Sequence, residues 1–158
     1  MAKRTSTASS PIQLAAIFAA VAALALGLLA PTASAAPKVG GWTGTLLMEN
    51  GNPYANAGVT FRVVNNGKGL QNWTTKVLPV YCPIYYPFTF QTRTVQIPSA
   101  AIRSGKVNRK YTVRSDSGQP VGTLILKGTF TSRRKVKGTI SYQDSGCYGT
   151  THWRAHKR

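Results

Sequence analysis

Apolar and polar residues alternate with a period of two over most of this chain, most cleanly in its last third. Residues 122–130 read G-T-L-I-L-K-G-T-F and put Leu124, Leu126, Gly128 and Phe130 on one face. Val136, Gly138, Ile140 and Tyr142 share a face in the next segment. Cys147, Gly149, Thr151, Trp153 and Ala155 share one in the last. Three such segments separated by polar turns predict an antiparallel meander with one face turned to a core.

The same reading extends upstream. Trp42, Gly44, Leu46 and Met48 alternate as a first strand, and the turn formers of residues 49–58 follow it. Val59, Phe61 and Val63 mark a second strand. Asn65-Asn66-Gly67-Lys68-Gly69 is a hairpin turn, because Asn and Gly tolerate the positive φ that such turns need. Residues 70–77 form a third strand with broken alternation, which a bulge near Trp73 would explain. Three prolines in residues 78–87 argue for an irregular loop. Residues 88–97 return to strand character until Pro98, and residues 99–105 are the one place that allows a helical turn. Tyr111 and Val113 begin another strand. About eight strands and almost no helix predict an all-β chain, either an antiparallel β-sandwich or a small barrel. The Gly-Thr dipeptide at 44, 122, 128, 138 and 149 follows the strands without a repeat period.

The first 35 residues break this pattern. Lys3 and Arg4 precede an uncharged apolar run from Leu14 to Ala30, and Pro31-Thr32-Ala33-Ser34-Ala35-Ala36 follows. A basic start, an apolar middle and a small-residue A-x-A end constitute a secretory signal peptide, with cleavage expected after Ala35 and Ala36 as the alternative. The rival reading is an uncleaved anchor. The run is mostly Ala and no basic stop-transfer cluster follows it, so no membrane span is expected in the mature chain. Residues 36–158 then form a single all-β domain, secreted or associated with the cell envelope.

Export changes the reading of the cysteines. The chain has two, Cys82 and Cys147. In an oxidising compartment they are expected to form a structural disulfide, pinning the proline-rich loop to the last strand. Their distance in sequence offers no metal-ligand pattern.

Charge is the strongest signal beyond structure. The chain has 20 Lys plus Arg against three acidic residues. Cleavage of the leader removes Lys3 and Arg4, leaving 18 against three and a net charge of +15. A hydrophobic fraction of 42% excludes a disordered basic tail. Arg133, Arg134, Lys135 and Lys137 cap one hairpin, and Arg103, Lys106, Arg109, Lys110 and Arg114 crowd another stretch. Arg154, Lys157 and Arg158 end the chain. Such a field attracts polyanions. The expected partners are anionic envelope polymers or glycans, with nucleic acid bound only non-specifically, and the protein is expected to act as a monomer. Arg133, Arg134, Lys135, Lys137 and Arg154 are the candidate contacts. Tyr81, Tyr85 and Tyr86 crowd the proline-rich loop, and Tyr85 and Tyr86 are added because exposed tyrosines stack on sugars or bases. The rival reading packs these rings into the core.

Catalytic chemistry has little to work with. Asp116 and Asp144 both lie in D-S-G, where Asp favours a turn by bonding its own backbone, and Glu49 opens the turn E-N-G-N-P. His152 and His156 share the outward face of the last strand and stand about 13 Å apart there, too far for one zinc. No nucleophile elbow, phosphate loop or dinucleotide fingerprint is present. No cofactor and no metal site are expected. The alternative from another class is a small secreted hydrolase of an anionic substrate, using His152 with Asp144.

Several motifs together resemble a loose group of small secreted bacterial proteins of unknown function. They are the G-W-T-G-T opening, the V-T-F-R-V strand with its glycine turn, Cys82, the G-T-F and G-T-I strands, and C-Y-G-T-T-H-W-R-A. The resemblance implies an exported all-β domain with one disulfide. It implies no activity and transfers no functional residues.

Overall fold

The structure is a computed structural model that describes residues 36–83, 89–115 and 117–158. The leader, Tyr85, Tyr86 and Asp116 lie outside the described residues. Eight strands follow one another: β1 (Gly40–Leu47), β2 (Pro53–Val64), β3 (Gly69–Cys82), β4 (Thr89–Arg103), β5 (Lys106–Arg114), β6 (Pro120–Ser132), β7 (Lys135–Asp144) and β8 (Tyr148–Lys157). Each pairs antiparallel with the next, and β8 pairs with β1. Of the two architectures that the alternation allowed, the chain adopts the barrel.

The ring changes its strand number along its axis. At one end β8 pairs with β1, from Trp42–Lys157 to Leu47–His152. At the other end β8 meets β3 instead, through Tyr81 and Tyr148. The Cys82–Cys147 disulfide lies beside that second closure and joins residues 65 apart in sequence. At the first end all eight strands take part; at the second, β1 and β2 drop out and β3 to β8 remain, with no pairing between β4 and β5 there. The tip of the β1–β2 hairpin is left outside the narrower ring.

Aromatic side chains from five strands meet inside. Trp42 stacks on Phe61 at 5.6 Å and meets Phe130 edge-on at 5.3 Å. Phe61 and Trp73 each meet Trp153 edge-on, at 6.0 and 5.9 Å. Trp42, Trp73 and Trp153 are all buried. This connected set of rings fills the barrel, as small barrels require. Glycine makes room for it. Gly138 is paired with both Gly128 and Trp153. A Cβ on Gly128 would come within 2.9 Å of the Trp153 ring, and one on Gly138 would run into the Lys127 carbonyl. The Gly-Thr dipeptides therefore mark inward positions with no space for a side chain, each followed by an outward threonine.

Pro79, expected in an irregular loop, and Pro98, expected to stop a strand, both lie inside strands. Pro79 sits in β3 opposite Thr92, beyond the last β2–β3 pair at Val59–Thr75, so one of its edges has no β2 neighbour. Pro98 sits in β4 across from Asn72, between the Gln71–Ser99 and Trp73–Ile97 pairs. Asn72 has φ 52 and forms the bulge expected near Trp73. Proline is tolerated at both places because a ladder hydrogen bond is not required there. The helical turn allowed at residues 99–105 does not form. Residues 99–103 continue β4, and Ser104-Gly105, both with positive φ, make a tight turn into β5. The turn formers before Gly58 also divide: residues 49–52 turn, and residues 54–57 bulge from β2 with Asn56 at φ 57.

One seam is sparsely paired. β4 and β5 share only Ile102–Val107 and Arg103–Lys106. Beyond them the strands diverge, and the Tyr111 hydroxyl donates to the Ser99 carbonyl across the opening.

Reducing the disulfide should cost about 4 kcal/mol on the chain-entropy account, measured by urea unfolding of oxidised and reduced protein. Trp153→Ala should cost about 3–5 kcal/mol, since its indole is packed from several strands. A loss under 1 kcal/mol in the same assay would contradict this account of the core.

Candidate functional site

The antiparallel register brings outward residues from distant parts of the chain into rows. One row runs Lys106, Thr129, Lys137, Arg154 and Thr45 across β5, β6, β7, β8 and β1. The next row contains Lys135, His156 and Thr43. Lys137, Arg154 and Thr45 of the first row and Lys135, His156 and Thr43 of the second border, with Thr131 and Leu47, an open groove of about 850 Å³ on the outer wall. Lys135, Lys137, Arg154 and His156 are all exposed.

Lys137 and Arg154 face each other directly on β7 and β8. Directly opposite side chains on antiparallel strands stand about 5 Å apart at Cβ, and like charges there destabilise the sheet. The groove therefore holds positive charge that folding alone does not reward.

The basic end of the barrel continues this surface. Arg133 and Arg134 form the β6–β7 turn, and Arg103 and Lys106 flank the β4–β5 turn. Lys68 ends the β2–β3 turn, and Lys38 and Arg158 sit near the entry and exit of the chain. These groups are tied together through backbone bonds. The Lys38 amide donates to the Arg133 carbonyl at 3.0 Å, and the Lys157 amide donates to the Arg134 carbonyl at 3.1 Å. The Ile102 amide donates to the Lys68 carbonyl at 2.8 Å. Pro37 lies over Gly67, and the Trp42 indole N–H donates to the Lys38 carbonyl at 3.1 Å, so the lead-in crosses this end of the barrel. The two described carboxylates, Glu49 and Asp144, both lie at the other end, on the β1–β2 and β7–β8 connections.

Of the residues expected to bind, Lys135, Lys137 and Arg154 are brought together in one groove. Arg133 and Arg134 adjoin it at the turn. Tyr85 and Tyr86 lie outside the described residues. Arg109 is exposed even though its neighbours in register face inward. β5 lacks a β4 partner there, and the Arg109 guanidinium stands 5.3 Å over the Tyr111 ring.

The hydrolase pair is not assembled. His152 is paired with Thr139, five residues along β7 from Asp144, a separation of about 16 Å on a strand. Both oxygens of Asp144 have structural partners. Oδ2 accepts the Tyr142 hydroxyl at 2.7 Å, and Oδ1 accepts the amides of Gly146 at 2.8 Å and Cys147 at 2.5 Å. Burial opposes the Asp144 charge. The Gly146, Tyr142 and Cys147 donors and the nearby Arg93 charge outweigh it and lower the pKa. Burial, then the bond and charge of Asp144, push Tyr142 up to about 12. The pair thus locks the turn that presents Cys147, as the D-S-G pattern suggested. Among the described residues no group of three or more His, Cys, Asp or Glu could hold a metal. No described helix is long and apolar enough to cross a membrane.

Sequence reasoning singled out Tyr81 but missed the cluster it joins at the narrow end of the barrel, where exposed Phe90 and Tyr148 stand with half-buried Tyr81 and Tyr54. Its legible signals were Tyr81 in the proline-rich stretch and the outward parity of Tyr148 on the last strand. The chain matches no protein-family model, no curated protein and no solved structure.

A lowered carboxylate pKa sets the sign of a pH effect. Asp144 stabilises the fold fully above the unfolded-state carboxylate pKa of about 3.9. That contribution is lost as pH falls through the lower folded value. Asp144→Asn should therefore flatten the acid limb of a stability profile followed by tryptophan fluorescence. An unchanged acid limb would remove Asp144 from the turn's energetics.

Proposed function

We propose that the mature chain is an exported, non-catalytic module that binds anionic polymers on the wall formed by β6, β7, β8 and β1. The observation that carries this reading is the facing pair Lys137 and Arg154, with Lys135 beside them. A bound polyanion would neutralise charges that otherwise repel across the sheet. The basic turn at Arg133 and Arg134 extends the same surface, so a linear polymer could follow it from the groove to the barrel end. Phosphodiester, sulfate and uronate groups all supply the required charge. Arginine favours the planar, two-oxygen geometry of such groups, and lysine acts as a point charge.

Export rests on the leader, with cleavage after Ala35. The Cys82–Cys147 disulfide supports an oxidising compartment. The likeness to small secreted bacterial β proteins belongs to this same reading. The chain would act as a monomer at the cell envelope or outside it, and nucleic acid would bind by charge alone.

The test is a triple substitution, Lys135→Gln, Lys137→Gln and Arg154→Gln. All three side chains are exposed, so the melting temperature should not fall. Affinity for a polyphosphate chain should drop, and the slope of log K against log salt should shrink by about 2–3. Equal affinity and slope for variant and wild type would defeat this assignment.

A further inference from the structure

β8 exchanges partners near its start. It pairs with β1 as far as the Leu47–His152 pair, and with β3 at Tyr81–Tyr148. Beyond Leu47 the β1–β2 hairpin stands clear of the narrower ring. A cleft of about 380 Å³ opens in the fork between hairpin and ring. Glu49 and Tyr54 come from the hairpin side, Tyr81 and Phe90 from β3 and β4, and Tyr148 and His152 from β8.

The rings here are placed unlike the other aromatic side chains of the barrel. Trp42, Trp73, Trp153, Phe61 and Phe130 are buried in the core. Phe90 is 80% exposed and Tyr148 is 53% exposed. Both contact Tyr81, Phe90 at 5.7 Å and Tyr148 at 5.6 Å in an edge-on geometry. The result is a contiguous apolar surface that the fold keeps in water, the kind of patch that marks a binding site. The disulfide next to the Tyr81–Tyr148 pair fixes two of its three members.

The surrounding polar groups select the ligand. A wholly apolar ligand would cover the Glu49 carboxylate and the His152 imidazole without giving either a partner, which is costly. An anionic ligand would meet Glu49. A small cation would suit the rings and the carboxylate, but it must approach a chain of net charge +15 after leader removal. An uncharged sugar ring satisfies every part. Its C–H face lies on aromatic carbon, and its hydroxyls reach Glu49, His152 and the Thr150 hydroxyl at the cleft edge.

We infer that this fork is a second binding site, for an uncharged pyranose unit of a glycan, with Tyr81, Tyr148 and Phe90 as the stacking surface and Glu49 and His152 as its hydrogen-bonding partners. The inference does not depend on polyanion binding. It uses different residues at the other end of the barrel, and its ligand carries no charge.

The test is titration calorimetry of the mature, oxidised protein with three uncharged oligosaccharides: a β-glucan tetramer, an α-glucan tetramer and an N-acetylglucosamine tetramer. Tetramethylammonium serves as the cationic contrast. At least one sugar should bind and keep its affinity in 0.5 M salt, about that needed to screen surface charge. Phe90→Ala and, separately, Tyr148→Ala should each weaken it about tenfold, the usual consequence of losing one stacking ring. Glu49→Gln should weaken it too, while Lys137→Gln with Arg154→Gln should leave it unchanged. Phe90 supports the test if Tyr148→Ala disturbs the strand pair, because its side chain is mostly in solvent. The inference is overturned if no sugar binds, if tetramethylammonium binds more tightly than every sugar, or if both ring variants bind like wild type.

Discussion

The barrel depends on how β3 and β8 come together at its narrow end. Closing a ring requires strands far apart in sequence to find each other, and here the disulfide holds that contact. Cys82 ends β3, and Cys147 precedes β8. Asp144 holds the backbone that presents Cys147, and Arg93 places a guanidinium nitrogen 3.7 Å from its sulfur. Loosening this junction would release β3 from β8 and remove the fork where the exposed rings meet. The same constraint thus supports the fold and shapes a cleft. The sparsely paired β4–β5 seam makes it more important, because the ring cannot rely on a full ladder on every side.

Inside the ring, the physical problem is volume. Three tryptophans and two phenylalanines crowd a small interior, and the glycines of β6 and β7 admit them. That arrangement was partly legible in the chain. The alternation at Leu124, Leu126, Phe130, Ile140, Trp153 and Ala155 named the inward face correctly, because period two survives wherever a strand has one wet side. The Gly-Thr dipeptides were visible, but their reason was not. It lies in which residue each glycine faces across the ladder, and a single sequence carries no register between distant strands.

The errors have a common cause. Pro79 and Pro98 read as strand breakers because proline cannot donate to a ladder. In the structure one lies past the end of a pairing and the other opposite a bulge, so no donor is lost. Both exceptions come from partners remote in sequence. The exposed rings were missed for a similar reason. Tyr54, Tyr81, Phe90 and Tyr148 stand on four different strands: Tyr81 meets Phe90 in the β3–β4 ladder, and Tyr148 joins them because β8 changes neighbours. The basic groove was nearer the surface of the text. Lys135 and Lys137 are close in sequence, but the approach of Arg154 needed the β7–β8 register.

The charge distribution joins these parts into one account. Most cations gather along the wide end and the adjoining outer wall, while the two described carboxylates stand at the narrow end with Arg93 and Arg114. A surface evenly coated with charge would attract any polyanion to any side. Segregation gives the barrel a face. The most direct test is to titrate isotopically labelled mature protein with a short polyphosphate at physiological salt and map the backbone amide shifts. The account predicts shifts concentrated in residues 133–137 and 154–158, with β3 and β4 silent. Small shifts spread over every lysine and arginine, or a cluster centred elsewhere on the barrel, would contradict it.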